Sequence, residues 1–213
     1  RHNNGNSEME SYNLNAGPEF KKEGVAFDHP ISSSFAQKMR RGYFAATSFI
    51  DAQVGKVISA LDAHGYTSVT SVIVWGDHGW HLGDTNSWCK MTNFETAARN
   101  TMLWRVPEQV DSSKGLNQRV VESVDIFPTI VELAGLPALP ACAGPDQPPT
   151  VHCLQGSSYA AGFLPASSAP APPKALAFSQ WPYPKWGPEK RFRQGYTVRS
   201  ADGYRYTEYG TTT

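Results

Sequence analysis

The sequence predicts an α/β fold that closes with a subdomain of antiparallel strands, and three observations carry that expectation. A long run of apolar residues spaced by three and four comes first, and a short continuous apolar run follows it directly. Alternating segments punctuated by turn residues come last. Helix, strand, helix and then late antiparallel strands is the order of an α/β domain with an appended sheet.

Each element has its own signal. Residues 1–33 are polar, rich in Gly and Asn and without sustained periodicity, and read as a connector. From Ser34 the apolar positions Phe35, Met39, Tyr43, Ala46, Ile50, Val54, Val57, Ile58 and Leu61 predict one long amphipathic helix. Lys38, Arg41, Asp51 and Lys56 fall largely between them. Ser32 to Ser34 offer N-caps, and Gly65 stands where a left-handed C-terminal cap belongs. Ser71 to Trp75 then reads as a strand buried on both faces, as in a parallel sheet. Thr101 to Val106 is a second strand. Ser123 to Gly135 is a short helix that Asp125 or Ser123 can cap, with Pro128 in its first turn. Residues 34–136 thus form the α/β part of the chain. Residues 137–175, loaded with Pro, Ala, Ser and Gly, form a surface excursion. Residues 176–213 carry the closing strands, with a hairpin of Gln194 to Ser200 and Tyr204 to Tyr209 around Asp202-Gly203.

Composition excludes several classes of function. With 40% hydrophobic and 18% charged residues, the 213-residue chain is of ordinary globular make-up. Lys plus Arg equals Asp plus Glu at 19 each, so no net field favours nucleic acid or an anionic membrane. No apolar run approaches the roughly 20 residues of a membrane span. The polar opening from Arg1 has no signal-peptide character, and the chain reads as a fragment shortened at its front. Three cysteines are too few for a disulfide scaffold. Cys142 and Cys153 bracket the Pro-rich loop PACAGPDQPPTVHC and are either a local bridge or two unrelated thiols. A bridge implies an oxidising compartment.

The chemistry is concentrated where the first strand ends, at Gly76-Asp77-His78-Gly79. Ligands of open α/β sheets bind beyond the carboxyl ends of the strands. Asp77 suits a hard divalent cation, whereas the His78 imidazole is less expected for calcium. The flanking glycines let backbone approach a ligand closely. Lys90 follows after a turn and can offer a point charge to an anionic oxygen. A metal with a Lys at one strand end suits a sulfate or phosphate ester. The competing reading of the same residues is a Gly-rich turn with a capping Asp. His81 reads as a packing or surface histidine rather than a ligand. His29 and His64 read as structural, with His64 answering the helix dipole.

The stretch VIVWGDHGWHLGD through WCKMTNFETAARNTMLW resembles the second conserved block of sulfatases in the alkaline-phosphatase-like superfamily. The resemblance extends in order through MRRGYFAATSFIDAQVGKVISALD, VDIFPTIVELAGLP, AFSQWPYP and GYTVRSADGYRYTEY, and is strongest to iduronate-2-sulfatase-like members. It implies a partial sulfatase fold and hydrolysis of sulfate esters on a glycosaminoglycan uronic acid. Asp77 and His78 would be calcium ligands and Lys90 would contact the sulfate of a sulfated sugar. A Cys142–Cys153 disulfide and a lysosomal or secreted location are implied as well. Asp125 and Pro128 would be architecture, while Trp80 would either shape the sugar pocket or belong to the core.

The same resemblance implies a Cys-x-Pro-Ser-Arg motif whose Cys becomes formylglycine. Cys89, Cys142 and Cys153 are followed by Lys-Met-Thr-Asn, Ala-Gly-Pro-Asp and Leu-Gln-Gly-Ser, so no such nucleophile lies in the 213 residues. Formylglycine, the remaining metal ligands and a catalytic His are expected in a missing N-terminal half of the same fold. The calcium site is then short of the usual six to eight oxygens, and an apolar sheet edge is left open. Two alternatives remain: a phosphodiesterase or phosphonate hydrolase of the same superfamily, and a non-catalytic homologue.

Overall fold

The computed structural model of the chain describes residues 30–107, 118–143, 153–163, 174–184 and 192–211. The sequence's connector up to residue 29, including His29, lies outside the described residues, as does part of the Pro-rich excursion. The chain divides into two compact units. One comprises Arg1–Trp104, Ser179–Thr197 and Thr207–Thr213, and the other Arg105–Phe178 and Val198–Tyr206.

Helix α1 runs over Ser33–Ala63, roughly 46 Å at 1.5 Å per residue. The Ser32 hydroxyl accepts the Phe35 N–H at its start. At its end Gly65 takes φ +73°, the Gly65 N–H donates to Asp62 O and the Tyr66 N–H to Leu61 O. That pair of bonds satisfies carbonyls the helix itself cannot, and His64 is the C-cap. Burial departs from the periodicity. Phe35 and Ala36 are buried, but Tyr43, Ile50 and Val57 of the predicted apolar face are exposed. Its first turns pack into a core of Ile31, Phe35, Ala36, Trp88 and Cys89 flanked by Met39, Trp80 and Leu82.

Strand β1 (Val72–Trp75) pairs with β4 (Met102–Arg105) in a two-stranded sheet. The expectation of a strand buried on both faces is corrected: Val72, Ile73 and Val74 are half-buried and Trp75 is exposed. An apolar run becomes a doubly buried strand only where layers cover both faces, and among the described residues β1 has β4 alone beside it. Strands β2 (His81–Leu82) and β3 (Trp88–Cys89) form a small antiparallel hairpin, with His81 opposite Cys89 and Leu82 opposite Trp88. Short helix α2 (Glu95–Ala98) follows.

In the second unit, a 3₁₀ turn at Ser123–Asp125 leads into α3 (Ile126–Leu133). The cap works differently from the sequence expectation. Asp125 stands at the N-cap position of α3 without a side-chain cap bond there; Glu122 caps the 3₁₀ turn, and the Asp125 carboxylate reaches back to accept the Glu122 N–H at 2.8 Å. Gly135 ends α3 with φ +66° and the same pair of bonds that ends α1. Cys142 and Cys153 are bonded, with Cα atoms 4.9 Å apart. The excursion is not merely a surface loop. Ser157 N–H donates to Asp125 Oδ1, Tyr159 N–H to Thr129 Oγ1, and Ala160 is fully buried.

Strands β5 (Leu176–Pro184), β6 (Phe192–Ser200) and β7 (Arg205–Thr211) make a three-stranded sheet in that order. The Thr197–Thr207 hydroxyl pair and the Ser200–Tyr204 bonds share one antiparallel register. The turn between them carries Gly203 at φ +105°. The Asp202-Gly203 hairpin therefore sits where the sequence puts it.

Candidate functional site

The front of the segment from Gly76 to Lys90 is held in the first unit by hydrogen bonds at Gly76 and Gly79. Gly76 N–H donates to Thr101 O at 3.0 Å, and the Asn100 amide donates to Gly76 O. Gly79 N–H donates to Ala97 O at 2.8 Å. A Cβ at Gly79 would collide with the carbonyl oxygens of Thr96 and Arg99. The sequence reading assigned these glycines to close approach of a ligand. At Gly79 the close approach is to the backbone at α2, which seats the loop.

Beyond β1 the chain brings Asp77, His78 and Lys90 together. His78 Nδ1 lies 2.8 Å from Gly79 O, and since a carbonyl only accepts, Nδ1 carries the proton. The Nε2 lone pair is thereby free to accept, and Lys90 Nζ stands 2.6 Å from it. Asp77 Oδ2 is 3.4 Å from the same Nε2, and the Asp77 side chain is 83% exposed. One imidazole nitrogen thus has both an ammonium and a carboxylate within 3.4 Å.

The backbone just before Lys90 takes an unusual conformation. Cys89 is buried and adopts φ +67°, a left-handed conformation that a non-glycine residue takes at a cost. It sits at the end of β3, whose Trp88 is buried against α1. The Arg40 guanidinium lies 5.6 Å from the Trp88 ring and donates from Nε to Leu82 O at 2.8 Å. Trp80 stacks on Tyr43 at 6.2 Å and packs against the same core, which favours the core reading of that residue.

His81 is the site residue that sequence reasoning undervalued. It is 0% exposed, so the surface reading is excluded. Its Nδ1 is 2.7 Å from Asp84 Oδ2 and its Nε2 2.9 Å from Thr92 Oγ1. Burial pushes the Asp84 carboxyl up. Hydrogen bonds with His81, Thr96 and the Leu82 N–H, together with the charge interaction with His81, outweigh it and hold Asp84 below its ordinary range.

Metal-binding capacity is limited by the donor set. Among the described residues there is no group of three or more His, Cys, Asp and Glu side chains placed to hold a metal. Asp77 and His78 supply two donors, one of them nitrogen, against the six to eight oxygens calcium takes. By themselves they do not fit a calcium site.

The sulfatase family model matches residues 6–136, which spans α1, both strands of the β1–β4 sheet, the Asp77–Lys90 segment and α3. The chain belongs to the sulfatase family. Iduronate 2-sulfatase from Homo sapiens is 31% identical over 220 residues, covering 84% of this chain and 39% of that protein. The Mus musculus iduronate 2-sulfatase is 32% identical with the same coverage. Choline-sulfatase from Rhizobium meliloti (strain 1021) is 28% identical, over 72% of this chain and 30% of that protein. The chain therefore spans about two fifths of the length of the iduronate 2-sulfatases it matches. The fold is shared with the solved structure of BT4656 in complex with its substrate D-glucosamine-2-N, 6-O-disulfate. That match has a TM-score of 0.57 at 18% identity, covering 95% of this chain and 39% of the other.

Proposed function

We propose that this chain is part of a sulfuric ester hydrolase that removes sulfate from a glycosaminoglycan uronic acid, and that Lys90 is its sulfate-binding cation. The observation that carries the reading is the convergence of Asp77, His78 and Lys90 at the end of β1. A lysine ammonium within reach of an ester's anionic oxygens stabilises charge in the transition state. Asp77 and His78 are, in this proposal, two of the ligands of a calcium ion whose other ligands come from sequence outside these 213 residues. The formylglycine nucleophile would come from that same missing part of the fold, since no Cys-x-Pro-Ser-Arg occurs here. When bound, calcium would neutralise sulfate oxygens. Lys90, released from His78 Nε2 once that lone pair turned to the ion, would orient one of them. The iduronate 2-sulfatase relatives support the sugar class, and the Cys142–Cys153 bond supports a lysosomal or secreted location.

Two measurements test this. The chain alone, incubated with a sulfated iduronic-acid disaccharide, is expected to release no sulfate, and hydrolysis would overturn the assignment of the nucleophile to sequence outside it. Sequencing the transcript ahead of the Arg1 codon is expected to reveal Cys-x-Pro-Ser-Arg. A Thr or Ser nucleophile there would point to phosphate-ester chemistry instead, and an in-frame stop would favour a non-catalytic protein.

A further inference from the structure

We infer that His81 is the positioning residue for Lys90, acting through a hydrogen-bonded bracket that grips the chain on both sides of it. Leu82 N–H donates to Asp84 Oδ1, and His81 Nδ1–H donates to Asp84 Oδ2. Thr92 Oγ1 shares a hydrogen bond with His81 Nε2 at 2.9 Å and accepts from Phe94 N–H at 3.2 Å. Asp84 lies six residues before Lys90 and Thr92 two residues after it, so both ends of the lysine-bearing segment close on one ring.

Three features single out His81 as the centre of that ring. It is opposite Cys89 in the β2–β3 register, and Cys89 is the left-handed residue immediately before Lys90. Such a conformation persists only where the surroundings over-determine it. The ring is also fully buried, so water does not compete for its two hydrogen bonds, and leaving either unmade would be costly. A hydroxyl–imidazole–carboxylate array resembles that of nucleophilic enzymes, but here no substrate can reach an imidazole with no exposed surface. Its chemistry is spent on holding backbone. The Phe94 ring caps it edge-on at 6.0 Å.

This inference rests on Lys90 being the sulfate-binding cation for its functional meaning, but its test does not. The rate at which a water-soluble acetylating ester modifies Lys90 at fixed pH is read by mass spectrometry, with Lys38 and Lys56 as exposed internal references. Thr92→Val removes only the hydroxyl and keeps the shape. It is expected to raise the Lys90 rate relative to the references by about five-fold, the population change that loss of one ordinary hydrogen bond brings. His81→Ala is expected to raise it further, and Thr92→Ser to leave it at the native value. A Lys90 rate unchanged in Thr92→Val, or a rise shared by Lys38 and Lys56, would overturn the inference. Adding inorganic sulfate at matched ionic strength separates the two readings. If sulfate fails to slow Lys90 acetylation in the native chain while Thr92→Val still accelerates it, the positioning role stands and the sulfate role falls.

Discussion

Replacing Lys174 with Met tests how much the second unit depends on one cation. Lys174 Nζ lies 2.8 Å from both Asp125 oxygens and also binds Glu122 Oε2. Asp125 is 2% exposed, and the lysine and Glu122 are only partly exposed. Removing a partner from a buried pair costs about 3–5 kcal/mol, while a solvent-exposed pair contributes about 0–1 kcal/mol. The quarter-exposed lysine places this change between those limits. Both carboxylates also keep N–H donors, Asp125 from Glu122 and Ser157, and Glu122 from Phe178. The expected loss is therefore about 2–3 kcal/mol.

The second unit contains no tryptophan, so fluorescence would report the first unit instead. Amide exchange at Ser157 and Tyr159 is the suitable assay, and it should quicken by about 30- to 150-fold under conditions where exchange follows the opening equilibrium. Burial opposes the charge on Lys174, but hydrogen bonds and attraction from Asp125 and Glu122 outweigh it, so its pKa is raised. The stabilisation is thus fully present below the unfolded lysine pKa of about 10.4, and is lost as pH rises through the higher folded value. An exchange rate within about two-fold of native in Lys174→Met would refute this reasoning, because so small a change is below even one hydrogen bond.

Other expectations follow from the site loop. Gly79→Ala would drive a methyl into the Thr96 and Arg99 carbonyls, costing about 1–3 kcal/mol as an overpacked contact. A lower thermal midpoint should accompany movement of the loop away from α2, and an unchanged midpoint would contradict the described seating. The lowered Asp84 pKa gives the opposite pH sign from Lys174. Its contribution is present above the unfolded carboxylate pKa of about 3.9 and drains away as pH falls through the lower folded value. Acid titration followed by the buried Trp88 should show that part of the sensitivity missing in Asp84→Asn.

Local features were the ones legible in sequence. Both helix ends fall at Gly65 and Gly135 because left-handed caps have a residue signature, and the Asp202-Gly203 hairpin has one too. Burial was less legible. Periodicity identifies the apolar face of α1 but not what covers it, so exposed Tyr43 and Ile50 look the same in sequence as buried Phe35. The strand end marked out Asp77 and His78, whereas the His81 ring had no motif to announce it. Its partners lie three and eleven residues away, and only the β2–β3 pairing closes them into one assembly. Lys174 is harder still, standing 52 residues from Glu122, with Asp125 in the same cluster.

The openness of Asp77 has a consequence for any ion the site attracts. With 83% of its side chain in water, its field is that of a charge in a high-dielectric medium. At 4 Å such a carboxylate attracts a unit positive charge by only about 1 kcal/mol, against roughly 4 kcal/mol where the effective dielectric constant drops to about 20. Whatever excludes water from the Asp77 side therefore amplifies its pull several-fold without adding a ligand. Coulombic attraction toward Asp77 is therefore set by shielding as well as by charge, offset by the cost of desolvating both ions, and salt should suppress it steeply while that side stays wet.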